Sequence, residues 1–227
     1  MINKQTSQIG QSGQSGQIGV DESGKGDYFG PLVIAGVYVP RDQEDMLRQL
    51  GARDSKAVSD KKAAELARHI RELCPFTIVT IGPERYNSLH ASFKNLNKLL
   101  AWGHARAIEN LLEKVSCDRV VADQFGDERF LASALMAKGR AITLIQKPRA
   151  EEEVAVAAAS IIARAEFLRR LQELSTRFGV TLPKGASDLV ITAGKEFVKR
   201  HGVEALGQVA KLHFRTTTSV LRSVIEG

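Results

Sequence analysis

Apolar residues along the 227-residue chain recur with two spacings, one typical of strands and one typical of helices. Short runs rich in Val and Ile predict β-strands at 18–23, 31–39, 76–82, 119–125 and 141–147. Apolar residues at helical spacing predict helical turns at 42–50, helices at 59–73, 95–112 and 152–175, and two further helical patches nearer the C-terminus. This alternation predicts an α/β fold with a mixed central sheet, helices on both faces and a C-terminal helical region.

Residues 1–17 differ in composition from the rest of the chain. They are mostly Gln, Ser, Gly, Thr and Asn, and they contain the local repeat QSGQSGQ. Such a segment buries too little apolar surface to offset the entropy lost on ordering, so we predict a disordered polar tail or linker. We find no internal repeat and no second apolar core in 18–227, which we therefore predict to form one domain.

Charge and cysteine content narrow the class of protein. The formal net charge of +6 favours a polyanionic partner. Cys74 and Cys117 lie far apart, outside any Cys-x-x-Cys pair, which is typical of a reducing compartment and predicts a cytoplasmic location. The five histidines show no zinc-ligand spacing. Neither a membrane-length apolar run nor the apolar core of a signal peptide occurs, so no membrane partner is expected.

Acidic side chains accompany three of the predicted strands. Asp21 and Glu22 lie at the end of the first strand, Asp123 lies in the fourth, and the triplet Glu151–Glu153 follows the fifth. Ligands of such sheets gather at the carboxyl ends of strands, so these acids converge if the first and fourth strands are parallel neighbours. Clustered carboxylates repel one another unless cations bind them, and oxygen ligands favour Mg²⁺ or Mn²⁺. Two such ions can support phosphodiester hydrolysis.

Simpler explanations of these residues stay open on spacing alone. An Asp-Glu pair at a strand end is common in solvated turns, and glutamates in a first helical turn are favoured by the macrodipole. Lys25, held between Gly24 and Gly26, suits a close approach to a phosphate and equally a hairpin turn that requires glycine. The loop lacks the Ser or Thr that follows Lys in a Walker A motif, which disfavours a nucleotide hydrolase.

Several longer motifs resemble one known family. The stretch GVDESGKGDYFGPLVIAGVYV (19–39) resembles the opening motif of the type 2 ribonucleases H, in wording closer to ribonuclease HIII than to ribonuclease HII. Further blocks are similar to that family in the same order: ARDSKAVSDKK (52–62), NLNKLLAWGHARAIENLL (95–112), VVADQF (120–125), AVAAASIIARAEFL (155–168), LPKGAS (182–187) and VAKLHFR (209–215). The resemblance covers about 18–220 of the chain.

This resemblance implies a ribonuclease H-like fold and endonucleolytic cleavage of the RNA strand in RNA–DNA hybrids, with Mg²⁺ or Mn²⁺ as cofactor. The implied catalytic acids and metal ligands are Asp21, Glu22, Asp123 and one residue of Glu151–Glu153, for which we favour Glu151. The candidate contacts to the nucleic acid are Gly24, Lys25, Gly26, Lys56, Asn95, Lys184, Gly185 and Lys211. No obligate protein partner is expected.

The sequence departs from the family pattern in two places. Ribonuclease HII typically has a tyrosine after a Lys-Gly pair that senses a single ribonucleotide, whereas Ala186 follows Lys184 and Gly185 here. Ribonuclease HIII usually has an N-terminal domain resembling TATA-binding protein, and this sequence has only the polar segment in that place. Two alternatives therefore remain: excision of single ribonucleotides from DNA, as in ribonuclease HII, and a non-catalytic module that binds hybrids.

Overall fold

The computed structural model describes residues 16–52 and 58–225. The strands in this part of the chain are β1 (Gln17–Ser23), β2 (Leu32–Val39), β3 (Phe76–Ile81), β4 (Arg119–Asp123) and β5 (Thr143–Lys147). The α-helices are α1 (Glu44–Leu50), α2 (Asp60–Leu73), α3 (Pro83–Phe93), α4 (Leu96–Leu112), α5 (Glu128–Ala134), α6 (Val154–Phe178), α7 (Asp188–His201) and α8 (Arg215–Ile225). The predicted strands and long helices are confirmed, with small shifts at their ends, whereas α3 and α5 have no counterpart in the prediction.

The strands form one five-stranded sheet in the order β3-β2-β1-β4-β5. β1 pairs antiparallel with β2, and β2 pairs antiparallel with β3. β4 is parallel to both of its neighbours, β1 and β5. The mixed sheet is therefore confirmed, and the parallel pairing of β1 with β4 brings the carboxyl ends of both strands to the same edge.

Alternate residues of β2 face opposite sides of the sheet, as the two-residue period requires. Val33, Ala35 and Val37 belong to one apolar core, which includes buried residues of α2, α6 and α7. Leu32 and Ile34 belong to a second core, built with residues of α3, α4 and α5. Helices on both faces of the sheet are thus confirmed.

Helix α6 crosses β1 at very close range. A Cβ atom on Gly19 would lie 2.0 Å from the backbone carbon of Ala155 and 2.2 Å from the nitrogen of Val156. Only glycine permits this approach, because any side chain would meet helix backbone. The first turn of α6 is therefore held directly against the strand that carries Asp21.

Two of the predicted helices have a side chain that caps their N-terminus. Ser59 caps α2 by accepting a hydrogen bond from the Lys62 amide at 3.2 Å. Asn95 caps α4 and accepts from the amides of Asn97 and Lys98 at 2.8 and 3.3 Å. The long helix predicted at 152–175 begins later than predicted, because a 3₁₀ turn occupies Ala150–Glu152 and α6 begins at Val154, so the glutamates at 151–153 precede the helix.

Residues 1–15, 53–57 and 226–227 lie outside the described part of the chain. Most of the predicted polar tail falls on the first of these segments, although Gln17 already belongs to β1. Within 16–52 and 58–225, no helix is long and apolar enough to cross a membrane.

Candidate active site

The carboxyl ends of β1 and β4 meet at one edge of the sheet. Val20 is in register with Ala122, so the next residues along these parallel strands, Asp21 and Asp123, follow side by side. The two acids are separated by about a hundred residues in sequence, and the strand pairing alone brings them together. The convergence that the sequence made conditional on parallel strands is present in the structure.

A pocket of about 410 Å³ lies at this edge of the sheet. Four acids line it together with two serines and an arginine: Asp21, Glu22, Asp123, Glu151, Ser23, Ser160 and Arg164. A larger cavity of about 570 Å³ lies elsewhere, beside Pro31, Gly82 and Arg177, and none of the four acids lines it. Converging polar groups, rather than volume, single out the smaller pocket as the place for chemistry.

Asp21 is half-buried beneath the first turns of α6. Its Oδ1 atom accepts a hydrogen bond from the Glu22 amide at 2.8 Å, and its carboxylate also accepts one from the Ser160 hydroxyl. Burial raises the pKa of Asp21 to about 7, the charge of Glu22 adds to the rise, and the hydrogen bond from Ser160 opposes it. At neutral pH the carboxyl group is therefore poised between its protonated and ionised forms, a state that a nearby cation would shift toward ionisation.

Glu22 is held from two sides. His104 of α4, which is fully buried, donates from Nε2 to Oε2 of Glu22 at 2.9 Å. The Lys25 ammonium lies 3.4 Å from the other carboxylate oxygen. Burial raises the pKa of Glu22, but the hydrogen bond from His104 and the charges of His104 and Lys25 outweigh it, and the net pKa is lowered. Asp21 and Glu22 are adjacent, yet their environments move their pKa values in opposite directions.

His104 contacts the candidate site through Glu22, and it is not among the residues that the sequence predicts to bind metal or nucleic acid. Its ring packs against Phe125 at 4.8 Å between centroids, and its Nδ1 atom is buried without a hydrogen-bond partner among the described residues. One ring nitrogen is thus committed to Glu22 and the other makes no compensating bond. The sequence holds no signal for this contact, which spans 82 residues.

The 3₁₀ turn after β5 presents only one of three consecutive glutamates to the pocket. Arg149, which precedes the turn, has a left-handed backbone with φ of 55°, and the Ala150 amide donates to Oδ1 of Asp123 at 3.1 Å. Glu151 lines the pocket, while Glu152 is exposed to solvent. Glu153 turns away to form an ion pair of 2.6 Å with Lys147.

The donor chemistry of the pocket suits a hard divalent cation. Its candidate ligands are carboxylate oxygens, with a serine hydroxyl beside them, and oxygen ligands of this kind bind Mg²⁺ and Mn²⁺. Within 16–52 and 58–225, however, no three His, Cys, Asp or Glu side chains are arranged closely enough to hold an ion by themselves. The four acids share one pocket without forming a closed ligand set. The raised pKa of Asp21 fits a cation there, because burial and the charge of Glu22 both disfavour the ionised carboxylate and a bound cation would favour it.

The loop after β1 presents backbone rather than side chains. Gly24 has φ of +89°, and a Cβ on it would lie 2.2 Å from the Pro31 carbonyl oxygen, so this position requires glycine. A Cβ on Gly26 would meet nothing within 4 Å, which leaves its backbone open to an incoming molecule. Gly185 is tied to the same loop, since its amide donates to Asp27 at 2.7 Å and its carbonyl accepts from Tyr28 at 2.9 Å.

Other predicted contacts to nucleic acid lie in different settings. Lys184 is about half exposed, near the pocket, and pairs with Asp60 at 2.6 Å. Asn95 is only partly buried at the start of α4, where its side-chain oxygen serves as the helix cap. Lys56 lies outside the described residues.

Lys211 does not fit the prediction that it touches a phosphate. Its side chain is fully buried, and its ammonium donates to the carbonyls of Asp27, Phe29 and Gly30 at 2.7, 3.4 and 2.8 Å. Burial lowers the pKa of Lys211 to about 7, against the opposing charge of Asp27. Lys211 connects the C-terminal region to the loop after β1 through these hydrogen bonds. Its buried ammonium is not accessible to a phosphate, so the prediction of a phosphate contact is wrong.

Comparison with known proteins places these features in a family. The sequence profile described as ribonuclease HII matches residues 18–217. Ribonuclease HIII of Protochlamydia amoebophila is 48% identical over 207 residues, which cover 91% of this chain and 69% of that protein. Ribonuclease HIII of Chlamydia pneumoniae is 48% identical over 204 residues, which cover 88% of this chain and 68% of that protein.

Solved structures agree with the sequence relatives. The crystal structure of Bst-RNase HIII in complex with Mn²⁺ superposes with a TM-score of 0.88 at 34% identity, covering 96% of this chain and 72% of that one. Aquifex aeolicus RNase H3 gives a TM-score of 0.74 at 32% identity, covering 89% and 73%. The expected ribonuclease H-like fold is therefore confirmed. The chain belongs to the type 2 ribonuclease H family and is similar to its ribonuclease HIII members.

Proposed function

We propose that this chain is a divalent-metal-dependent endoribonuclease that cleaves the RNA strand of RNA–DNA hybrids. The observation that carries the proposal is the meeting of four acids in one pocket at the carboxyl ends of β1 and β4: Asp21, Glu22, Asp123 and Glu151. Membership of the type 2 ribonuclease H family supports the same activity. Bst-RNase HIII, a relative crystallised with Mn²⁺, supports a divalent metal as the cofactor.

The four acids are the residues that would hold Mg²⁺ or Mn²⁺ in this pocket. When bound, such ions supply an activated water and stabilise negative charge on the leaving oxygen of a phosphodiester. Of the glutamates at 151–153, Glu151 alone lines the pocket, which supports it as the fourth acid. Glu153 forms an ion pair with Lys147, and Glu152 faces solvent, so both are less suitable as the fourth acid.

The chain's own donors orient the acids before substrate arrives. The Ser160 hydroxyl and the Glu22 amide hold Asp21, and His104 holds Glu22. Such fixed hydrogen bonds reduce the reorganisation needed during the reaction. The ring of His104 is buried, so water cannot replace its hydrogen bond to Glu22.

The loop Gly24-Lys25-Gly26 supplies the features that recognise RNA. The open backbone at Gly26 can approach a ribose closely enough to bond its 2′-hydroxyl, the group that distinguishes RNA from DNA. Lys25 is 38% exposed and 3.4 Å from Glu22, so its ammonium can exchange from that carboxylate to a substrate phosphate. The tether from Gly185 to Asp27 fixes one side of this loop.

Substitution of single acids tests the proposal. We expect Asp21→Asn and Glu151→Gln to abolish cleavage of a labelled hybrid in Mg²⁺ or Mn²⁺, with binding largely retained. Glu152→Gln is the matched control, since it lies in the same turn, faces solvent and should cleave at the wild-type rate. Addition of EDTA should stop the wild-type reaction. Cleavage by Asp21→Asn at the wild-type rate would overturn the assignment of the catalytic acids. If Glu152→Gln lost activity and Glu151→Gln did not, the fourth acid would be Glu152 instead of Glu151.

The preferred substrate is a continuous hybrid rather than DNA with one embedded ribonucleotide. Ala186 follows Lys184 and Gly185 at an exposed position, and its methyl group offers no ring to stack on a ribose at a junction. We expect faster cleavage of the continuous hybrid in a side-by-side comparison of the two duplexes. The opposite preference would support the ribonuclease HII-like alternative, and binding of hybrids without any cleavage would support the non-catalytic one.

We also propose a cytoplasmic location. Cys74 and Cys117 are both free thiols, and burial raises the pKa of Cys74 to about 11, which keeps it in the unreactive protonated form. Detection of the native protein in a membrane or secreted fraction would contradict this assignment.

A further inference from the structure

A single carboxylate bridges two cations at the rim of the acidic pocket. Oδ1 of Asp60 lies 2.7 Å from Nη2 of Arg164, and Oδ2 lies 2.6 Å from Nζ of Lys184. The three residues come from different elements, namely the first residue of α2, the middle of α6 and the loop before α7. The hydrogen bond from Lys184 is the largest of several contacts that lower the pKa of Asp60.

Both cations are connected to the pocket or to the loop beside it. Arg164 lines the pocket that contains the four acids. Lys184 precedes Gly185, whose amide and carbonyl are bonded to the loop that follows Gly24-Lys25-Gly26. A strand that enters the pocket past this loop therefore passes the Arg164–Lys184 pair.

The bridge is partly accessible to solvent. The side chains of Asp60, Arg164 and Lys184 are 43%, 25% and 48% exposed. Exposed ion pairs contribute only about 0–1 kcal/mol each to stability, so folding does not require this one. A phosphodiester offers arginine and lysine the same kind of oxygen acceptors as a carboxylate does, and arginine binds both groups in similar geometry.

We propose that Arg164 and Lys184 form a binding site for a backbone phosphate of the hybrid, and that Asp60 occupies this site until the phosphate displaces it. The inference rests on the proposed function, because it assumes that a hybrid is the ligand. Asp60 is then an internal competitor of the substrate. It also keeps two like charges together at the pocket while no nucleic acid is bound.

Competition predicts that removing the carboxylate tightens binding. Asp60→Asn removes the negative charge that lies between the two cations, and we expect the Kd for a hybrid to fall about three- to tenfold at low salt. The slope of log Kd against log salt should become steeper by about one, since one more counterion is released. A carboxylate that merely positioned the two cations would give the opposite result, namely weaker binding.

The test is fluorescence anisotropy with a labelled RNA–DNA hybrid in EDTA, where binding is read without cleavage. Glu65→Gln is the matched control, because Glu65 lies on the same helix, pairs with Lys62 at the surface and changes the net charge equally. Asp60→Ser provides a second, smaller replacement if the amide variant folds poorly. The Asp60 variants should bind more tightly than the Glu65 variant, and the gain should shrink when Lys184→Gln is added.

Three outcomes would overturn the inference: weaker binding by both Asp60 variants, binding equal to that of Glu65→Gln, or a gain that survives unchanged beside Lys184→Gln. Failure of the proposed function is seen separately, as a wild-type protein that does not bind the hybrid in EDTA or does not cleave it in Mg²⁺ or Mn²⁺.

Discussion

Replacing Asp21 with Asn should stabilise the protein against unfolding at alkaline pH while it removes activity. Asp21 is half-buried, its neighbour Glu22 is ionised, and burial together with that charge raises its pKa from 3.8 to about 7. Asn has nearly the same shape and can still accept the hydrogen bond from Ser160. The substitution therefore removes the cost of ionising the side chain and little else.

The magnitude follows from linkage between proton binding and folding. In the unfolded chain Asp21 ionises near pH 3.8, whereas in the folded protein it keeps its proton until about pH 7. The folded state binds more protons across this window, so stability falls as the pH rises through it and stays low above it. At about 1.4 kcal/mol per pH unit the full penalty is about 4 kcal/mol, and partial access of water to the carboxylate reduces it to about 2–4 kcal/mol.

Chemical unfolding of both proteins in EDTA, at about pH 4.5 and about pH 8, measures this effect. We expect an advantage of no more than about 1 kcal/mol for Asp21→Asn at the lower pH, which is just above the unfolded pKa, and of about 2–4 kcal/mol at the higher pH, equivalent to about 5–10 °C in Tm. Adding Mg²⁺ or Mn²⁺ should raise the stability of the wild-type protein more than that of the variant. A bound ion stabilises the folded state, and only the wild-type protein keeps the Asp21 carboxylate as a ligand. An advantage of equal size at both pH values would refute the reasoning, since no titration would then lie behind it.

Three further substitutions test contacts around the site. His104→Met removes the donor to Glu22 and should lower the single-turnover rate about 10- to 100-fold, because hydrogen bonds to charged groups contribute about 1.5–3 kcal/mol. His104→Gln keeps a donor, so its rate should fall less. Equal rates for Met and Gln would contradict this role. Lys211→Met leaves three carbonyls without their donor and should lower the free energy of unfolding in urea by about 3 kcal/mol. Gly19→Ala places a methyl group against the Ala155 backbone and should destabilise the fold by about 3 kcal/mol or more in thermal denaturation. A smaller loss of stability would mean that α6 can shift away from β1 to make room for the methyl group.

Much of the fold could be predicted because each strand carries its own apolar pattern. The sequence left the parallel pairing of β1 with β4 as a condition for the acids to meet, and only the folded chain shows that pairing. The helix α3 escaped prediction because its inward face is short, with Pro83 and Tyr86 as its buried residues. The start of α6 was misjudged because Ala and Glu at 150–153 suit a helix, while the contact of the Ala150 amide with Asp123 favours a tighter turn.

Side-chain partners across long sequence separations were beyond prediction. From the sequence, Lys211 is expected to be a charged residue at the surface. Only the folded chain brings its ammonium to three backbone carbonyls more than 180 residues away. The contact of His104 with Glu22 likewise depends on how α4 packs against the sheet. Residue type and position at strand ends pointed to Asp21, Glu22, Asp123 and the triplet Glu151–Glu153, and the preference for Glu151 came from the family resemblance. Residue type could not identify their donors, because histidine, serine and backbone amides occur everywhere.

The hydrogen-bond donors explain how two adjacent acids in the pocket, Asp21 and Glu22, are oriented independently of each other. Asp21 is held by Ser160 of α6, on one face of the sheet, and Glu22 is held by His104 of α4, on the other. The orientation of each acid therefore depends on packing across the whole core rather than on the strand that carries it. A carboxylate oxygen has more than one lone pair, so a cation can bind an oxygen that already accepts a hydrogen bond. Substitutions that shift α4 or α6 should consequently alter the chemistry of the pocket without replacing any acid in it.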